Sequence, residues 1–401
     1  MKILLMVIDG LGDKPIKEFD NKTPLESAKT PNLDYLASNG ALGLIEPYIR
    51  KTIPTSEESH FSLFGYNPET YHIKRGIFTA QGVGIKLEKG DVALRGNFAT
   101  VGDNLKMIDR RAGRIEETQA LVKSLNGMVI DNVKFLLKNT KGYRVGVVLR
   151  GKNLSANISD ADPFYSNLKT KVEKVIALDK NPKSLFTAKV LNEFLEKSHK
   201  ILKDHPLNKR REEKGLLPAN YVLVRGASSL HKTPSFKKKY NLNAACVAGK
   251  FLYQQIGRFL GMDLIKVKGV DGTVNTNLKG KIKAVEKCFK KYDFVFLHIK
   301  ACDSLAEDGD CSAKKKFIEK IDKSIKPLLS FKDTAIIITC DHSTCCQTKR
   351  HCKELIPVLI YKPLKEFKES KIKFSEKECK KGKLGRFKQI NLMSKILKTI
   401  K

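Results

Sequence analysis

Toward the C-terminal end of the chain an Asp-His pair, Asp341-His342, follows the unbroken β-branched run Ala335–Thr339 through Cys340, and a second imidazole, His351, comes shortly after. A carboxylate beside an imidazole can hold a divalent cation, or it can merely cap a loop. Three other places favour the first use. Asp9 closes the apolar opening MKILLMVIDG, and Gly12 follows in a turn that lets backbone approach a ligand. Asp303 and Glu307 come after the strand predicted at Asp293–His298, four residues apart, so one helical turn can aim both at one point. Ser56 sits in Pro54-Thr55-Ser56-Glu57-Glu58, where Pro, Thr and acidic residues mark the first turn of a helix. The positive end of a helix dipole stabilises an alkoxide or a bound phosphate, which suits a nucleophile; the bland alternative is that Ser56 is the helix cap. Together these side chains form an oxygen-rich set with some imidazole, suited to two divalent cations about 4 Å apart, the arrangement that serves phosphoryl transfer. Such a set favours Mn²⁺ or Mg²⁺ over Zn²⁺.

The segments that carry these residues are short, apolar and β-branched, as central parallel strands covered on both faces are. In open α/β sheets the ligand crevice lies at the carboxyl ends of such strands. Strands alternating with helices, among them Gly249–Leu260, Ala313–Leu328 and Leu392–Ile400, predict an α/β fold with a mostly parallel sheet. The pattern changes from about Ala93 to Lys203, where strands at Val133–Lys138 and Arg144–Leu149 and an amphipathic helix at Thr187–Lys203 predict a smaller inserted α+β lobe. The expected division is residues 1–108 and 220–401 for the main core and 109–219 for the lobe. Arg110, Arg111 and Arg150 flank that lobe, as does Asp160 in SDADP, and guanidinium forks there would hold an anionic substrate. Arg clusters also make ordinary solvated faces.

At 401 residues, 41% apolar and 30% charged, the chain can bury a large core in two lobes. No apolar run approaches the ~20 residues of a membrane helix, and the opening run has no cleavage site behind it, so a cytoplasmic protein without membrane attachment is expected. Nine cysteines, an odd number, predict reduced thiols, and Cys345, Cys346 and Cys352 lack a second pair at zinc-site spacing. The net charge of +33 invites a nucleic-acid reading, but only 14 of the 76 basic residues are Arg and the Lys is spread along the chain. A solvated surface that steers small anions is the better account, with no nucleic-acid partner.

Several motifs are recognisable as a set: IDGLGD at 8–13, KTPLESAKTPNLDYLASNG at 22–40, Pro54-Thr55-Ser56 followed by FGYNP at 64–68, and GVGIKLEKGDVALRGNFATV at 82–101. The set continues with DRRAGRI at 109–115, SDADP at 159–163, RGAS at 225–228, AGKFLYQQIGRFLGMD at 248–263, DGD at 308–310, CDHST at 340–344 and KLGRF at 383–387. Across nearly its whole length the chain resembles the archaeal-type cofactor-independent phosphoglycerate mutases of the alkaline phosphatase superfamily. The resemblance implies an alkaline-phosphatase-like core and interconversion of 2-phosphoglycerate and 3-phosphoglycerate in glycolysis and gluconeogenesis. It implies a phosphoserine intermediate and two divalent ions, without 2,3-bisphosphoglycerate. Carried onto this chain, Ser56 is the nucleophile; Asp9, Ser56, Asp341 and His342 hold one ion, and Asp303 and His351 the other. Where the family has His four residues after the Asp that matches Asp303, this chain has Glu307, which implies a site less partial to nitrogen-loving metals.

Two other functions fit the same residues. A metal-dependent phosphatase or a mutase for another phosphorylated metabolite shares Ser56 and the ions, and a catalytically impaired paralogue would only bind phosphorylated ligands. Oligomeric state is open at this level.

Overall fold

The computed structural model describes residues 1–48, 55–71, 74–163, 171–363 and 372–400, so Pro54 of the Ser56 loop lies outside the described residues. In chain order the first strands are β1 (Lys2–Ile8) and β2 (Gly40–Glu46). Then come β3 (Val92–Val101), β4 (Met107–Asp109), β5 (Val129–Ile130), β6 (Val133–Asn139), β7 (Arg144–Arg150) and β8 (Tyr221–Ser229). The last are β9 (Ala244–Val247), β10 (Asp263–Leu264), β11 (Phe294–Ile299), β12 (Thr334–Thr339), β13 (Ser343–Cys345), β14 (Arg350–Cys352), β15 (Ile356–Tyr361) and β16 (Gly385–Lys388).

The chain divides into two compact units, Met1–Tyr71 with Thr233–Lys401, and His72–Lys232. The first is built on an eight-stranded sheet in the order β10-β9-β11-β1-β12-β15-β2-β16. It is α/β and mostly parallel, as expected: β1 runs parallel to β11 and β12, while β15 alone is reversed, antiparallel to both β12 and β2. Every residue of β11 and β12, and all of β1 after Lys2, is buried. Strands so covered are apolar but for His298 in β11 and the threonines that bound β12, and their ionisable carboxylates come only past the strand ends, at the sheet's carboxyl edge. The register Ile8↔Ile299 and Val7↔Thr339 brings three such ends side by side.

The second unit is an antiparallel sheet, β4-β3-β7-β6-β5, with β8 also paired to β3. The helix Pro182–Lys203 packs its apolar face on this sheet, Phe194 stacking on Phe135 of β6 at 4.1 Å. The unit begins earlier and ends later than the stretch 109–219 read from sequence. Tyr221–Ser229 falls in the stretch 220–401 expected in the main core, but it pairs along β3 from Tyr221↔Ala99 to Ser229↔Val92, so both strands belong here.

One expectation about the cysteines is corrected. Cys345 and Cys352 form a disulfide that closes the β13–β14 hairpin, whose register brings their Cα atoms to 6.0 Å. The other seven cysteines are free. No helix among the described residues is long and apolar enough to cross a membrane.

Candidate metal centre

The three adjacent strand ends deliver the chemistry. Asp9 leaves β1, Lys300 and Asp303 follow β11, and Asp341 and His342 follow β12. Gly10 makes the junction possible: its φ is +68°, and a Cβ there would stand 2.7 Å from the Asp303 Cα and 2.8 Å from Thr344 Oγ1. The hairpin after β12 folds back to place Thr344 and His351. Beneath it, the fully buried Lys314 donates to Asp13 Oδ2 (2.9 Å), Thr344 O (3.0 Å) and Gly12 O (3.3 Å), binding the loop after β1 to the hairpin.

These segments form two groups whose ligand atoms lie within 4.8 Å of one another: Asp9, Asp341 and His342, and Asp303, His342 and His351. His342 belongs to both. Its Nε2 is 3.2 Å from Asp341 Oδ2 and 3.6 Å from Asp9 Oδ1, and its Nδ1 is 4.0 Å from Asp303 Oδ1. His351 Nε2 is 3.3 Å from Asp303 Oδ1, and the two imidazoles stack at 3.6 Å. Thr344 donates its hydroxyl to Asp303 Oδ1 at 2.6 Å.

The electrostatics separate the carboxylates. Burial pushes the Asp9 carboxyl up, but Lys300, His298 and His342 outweigh it and hold the group well below the usual carboxylate range. Burial likewise raises Asp303, and Lys300, 2.5 Å from its Oδ2, brings it below that range. Asp341 goes the other way, well above, through burial and then the charge of Asp9. Both its oxygens and His342 Nε2 are buried without a hydrogen-bond partner among the described residues. Leaving a carboxylate so exposed to a low-dielectric interior is costly unless a cation meets it, so this donor set fits a divalent metal. Burial, then His351, lowers His342 to about 3, which keeps its ring neutral and able to ligate.

Ser56 is the first residue of the helix Ser56–Leu63. The cap is Thr55, whose hydroxyl accepts the Glu58 N–H while Glu58 reaches back to the Thr55 N–H, so Ser56 is relieved of the capping role. His60, one turn on, donates Nδ1–H to the Ser56 carbonyl at 2.7 Å and stands 3.5 Å from Asp341 Oδ2. Glu307 is half-exposed at the edge of the second group, its Oε1 3.9 Å from His351 Nε2.

Sequence reasoning passed over Lys300, which reaches Asp9 Oδ2 (3.1 Å) and Asp303, over Tyr253 and His298, which both bond Asp9, and over His60 and Thr344. Spacing offered one usable sign, His60 four residues after Ser56; Lys300 is lost among the many lysines.

The expected substrate residues lie in the second unit. Arg110 forks onto Asp162 at 2.6–2.9 Å, and Asp160 accepts the Gly226 N–H at 2.8 Å. The Arg111 guanidinium lies 5.9 Å over the Tyr143 ring. Arg150 is held by Asp91 and Glu88, each at 2.7 Å, and by the Lys86 carbonyl at 2.8 Å.

A mostly parallel sheet whose central strands end in two adjoining carboxylate–imidazole groups defines a metalloenzyme, and the sequence matches the metalloenzyme superfamily over residues 1–399. The chain is 43% identical to the 2,3-bisphosphoglycerate-independent phosphoglycerate mutase 1 of Archaeoglobus fulgidus, over 98% of this chain and 97% of that one. It is 39% identical to the corresponding protein of Methanocaldococcus jannaschii, over 99% and 96%. The chain belongs to the 2,3-bisphosphoglycerate-independent phosphoglycerate mutase family. A solved structure of the cofactor-independent phosphoglycerate mutase from Thermoplasma acidophilum shares the fold, with a TM-score of 0.71 and 34% identity over the whole of both chains. A Pyrococcus horikoshii protein superposes with a TM-score of 0.81 at 32% identity, over 99% of this chain and 96% of that one.

Proposed function

We infer that this chain interconverts 2-phosphoglycerate and 3-phosphoglycerate through a phosphoserine at Ser56, without 2,3-bisphosphoglycerate, in cytoplasmic glycolysis and gluconeogenesis. The observation that carries the reading is the pair of ligand groups sharing His342 at the ends of three neighbouring strands. We assign Asp9, Ser56, Asp341 and His342 to one divalent ion and Asp303, Glu307 and His351 to the other, with Mn²⁺ or Mg²⁺ favoured by the preponderance of oxygen. Bound there, the ions would supply Lewis-acid stabilisation to the oxygens entering and leaving phosphorus.

The protein's own part is as follows. Ser56 Oγ attacks phosphorus, the ester P–O bond breaks, and the proton lost by the serine ends on the freed glycerate hydroxyl. The other glycerate hydroxyl then attacks the phosphoserine, restoring Ser56 and completing the transfer. Lys300 keeps Asp9 and Asp303 ionised throughout, and the capped helix start holds Ser56 in place. Arg110, Arg111, Arg150 and Asp160 are the proposed substrate residues; Arg110 and Arg150 are both ion-paired, to Asp162 and to Asp91 with Glu88, pairs that a phosphate or carboxylate would have to share.

Incubation with 3-phosphoglycerate and a panel of divalent ions tests this. The expected product is 2-phosphoglycerate; free phosphate would make the chain a phosphatase, and no product would leave it a binding protein. Ser56→Ala should abolish turnover with unchanged stability, whereas Thr55→Ala should cost about 1 kcal/mol of stability. Turnover in Ser56→Ala would end the phosphoserine mechanism.

A further inference from the structure

The two oxygens of Asp9 are held differently. Oδ2 accepts the Tyr253 hydroxyl at 2.5 Å and the His298 Nε2–H at 3.1 Å, whereas Oδ1 faces His342 Nε2 at 3.6 Å. Lys300 Nζ touches both oxygens, at 3.2 and 3.1 Å, and so does not distinguish them. The asymmetry comes from Tyr253 and His298.

Tyr253 is itself fixed by rings. It lies on the helix Phe251–Phe259, is 2% exposed, and stacks on His298 with centroids 3.5 Å apart and planes at 22°. Its other neighbour is His60, at 4.8 Å, and Phe296 closes the cluster edge-on to both histidines. His60 is the residue that donates to the Ser56 carbonyl. One ring cluster thus touches the first turn of the Ser56 helix on one side and the Asp9 carboxylate on the other. With its ring so packed, Tyr253 directs its hydroxyl at Asp9 Oδ2.

We propose that Tyr253 is a positioning residue: seated by the His60–His298 rings, its hydroxyl saturates Asp9 Oδ2, so that Oδ1 is the oxygen turned toward a divalent cation beside Asp341 and His342. The proposal rests on the metal assignment made above. Groups that hydrogen-bond a ligating carboxylate govern its orientation, and losing one typically weakens metal binding ten- to hundredfold.

Tyr253→Phe removes the hydroxyl and keeps the ring. Mn²⁺ is titrated into the wild-type protein, Asp9→Ala and Tyr253→Phe, with free Mn²⁺ read by electron paramagnetic resonance and metal-free stability by urea unfolding. The expected result is a ten- to hundredfold weaker Asp9-dependent site in Tyr253→Phe with an unchanged metal-free unfolding curve. Wild-type affinity in Tyr253→Phe, with binding lost in Asp9→Ala, would overturn this inference and leave the metal assignment standing. Wild-type binding in Asp9→Ala would overturn both. A lowered metal-free stability in Tyr253→Phe would make the hydroxyl a structural tie and overturn the positioning role.

Discussion

Asp341→Asn should stabilise the metal-free protein and abolish its response to divalent ions. In the native structure the carboxyl is fully buried, lacks a hydrogen-bond partner among the described residues and sits beside the ionised Asp9, so it is held well above the usual carboxylate range, by burial first and then by Asp9. In the unfolded chain it titrates near 4. Between those two values the native state binds more protons than the unfolded state, so stability is greatest below the unfolded value and falls as the pH rises. The loss is about 1.4 kcal/mol per pH unit until the native carboxyl ionises. Asparagine cannot titrate. The stability difference between variant and wild type should therefore widen at about that slope from pH ~4 upward and then level off. Metal acts in the opposite sense: Mn²⁺ at a hundredfold its dissociation constant adds about 2.7 kcal/mol to whichever protein binds it. The chain has no tryptophan, so urea unfolding is best followed by circular dichroism, at pH 5, 6 and 7, in chelator and in Mn²⁺. Parallel pH profiles for the two proteins in chelator would refute the assignment of a buried, unassisted carboxyl. Equal stabilisation by Mn²⁺ would refute its role as a ligand.

Lys281 is almost wholly buried, donates to the His298 carbonyl at 2.9 Å, and is pushed by burial down to about 8. Its folded value lies below its unfolded one, so the unfolded chain binds more protons between about 8 and 10.4, and stability should rise with pH across that window by about 3 kcal/mol. Lys281→Met should remove that rise; a matching profile in the variant would show that the lysine is better solvated than its burial indicates. For Glu307, the Ala variant should weaken Mn²⁺ binding about tenfold or more, and Glu307→His should shift preference toward Zn²⁺ or Co²⁺ in competition titrations. An unchanged Mn²⁺ titration of Glu307→Ala would remove it from the ligand set.

The parts of this site legible in the sequence are those in which one residue's type and position suffice. Ala335–Thr339 reads as a buried strand, and polar residues just past such strands come out at the sheet's edge, so Asp9, Asp341 and His342 were legible directly and Asp303 from its place shortly after β11. Residues that act by contact with another segment did not. Tyr253 matters because a helix places it on Asp9, and nothing in FLYQQ encodes that. Arg150 reads as an anion fork from its type and place, whereas its partners Asp91 and Glu88 lie about sixty residues away and become visible only in the fold. The edges of the second unit were hidden for the same reason, since β3 and β8 are ordinary strands until their pairing, across more than a hundred residues, assigns them to one sheet. Cys345 and Cys352 pair because a hairpin turns between them, which a count of cysteines cannot reveal.

The interleaving of the first unit's strands also sets a timetable for synthesis. His72–Lys232 is one continuous stretch and holds all the strands of its own sheet, so it can fold while the rest of the chain is still being made. β1 cannot. Its partners begin at Phe294 and Thr334, and β2 waits for Ile356 and Gly385. At the usual 5–20 residues per second, KILLMVI leaves the ribosome about 15–60 s before its first neighbour exists. For that interval a seven-residue apolar strand, destined for the centre of a sheet, has both edges open to any other strand it meets. The pairing that buries β1 in the finished protein is therefore the last thing the nascent strand acquires.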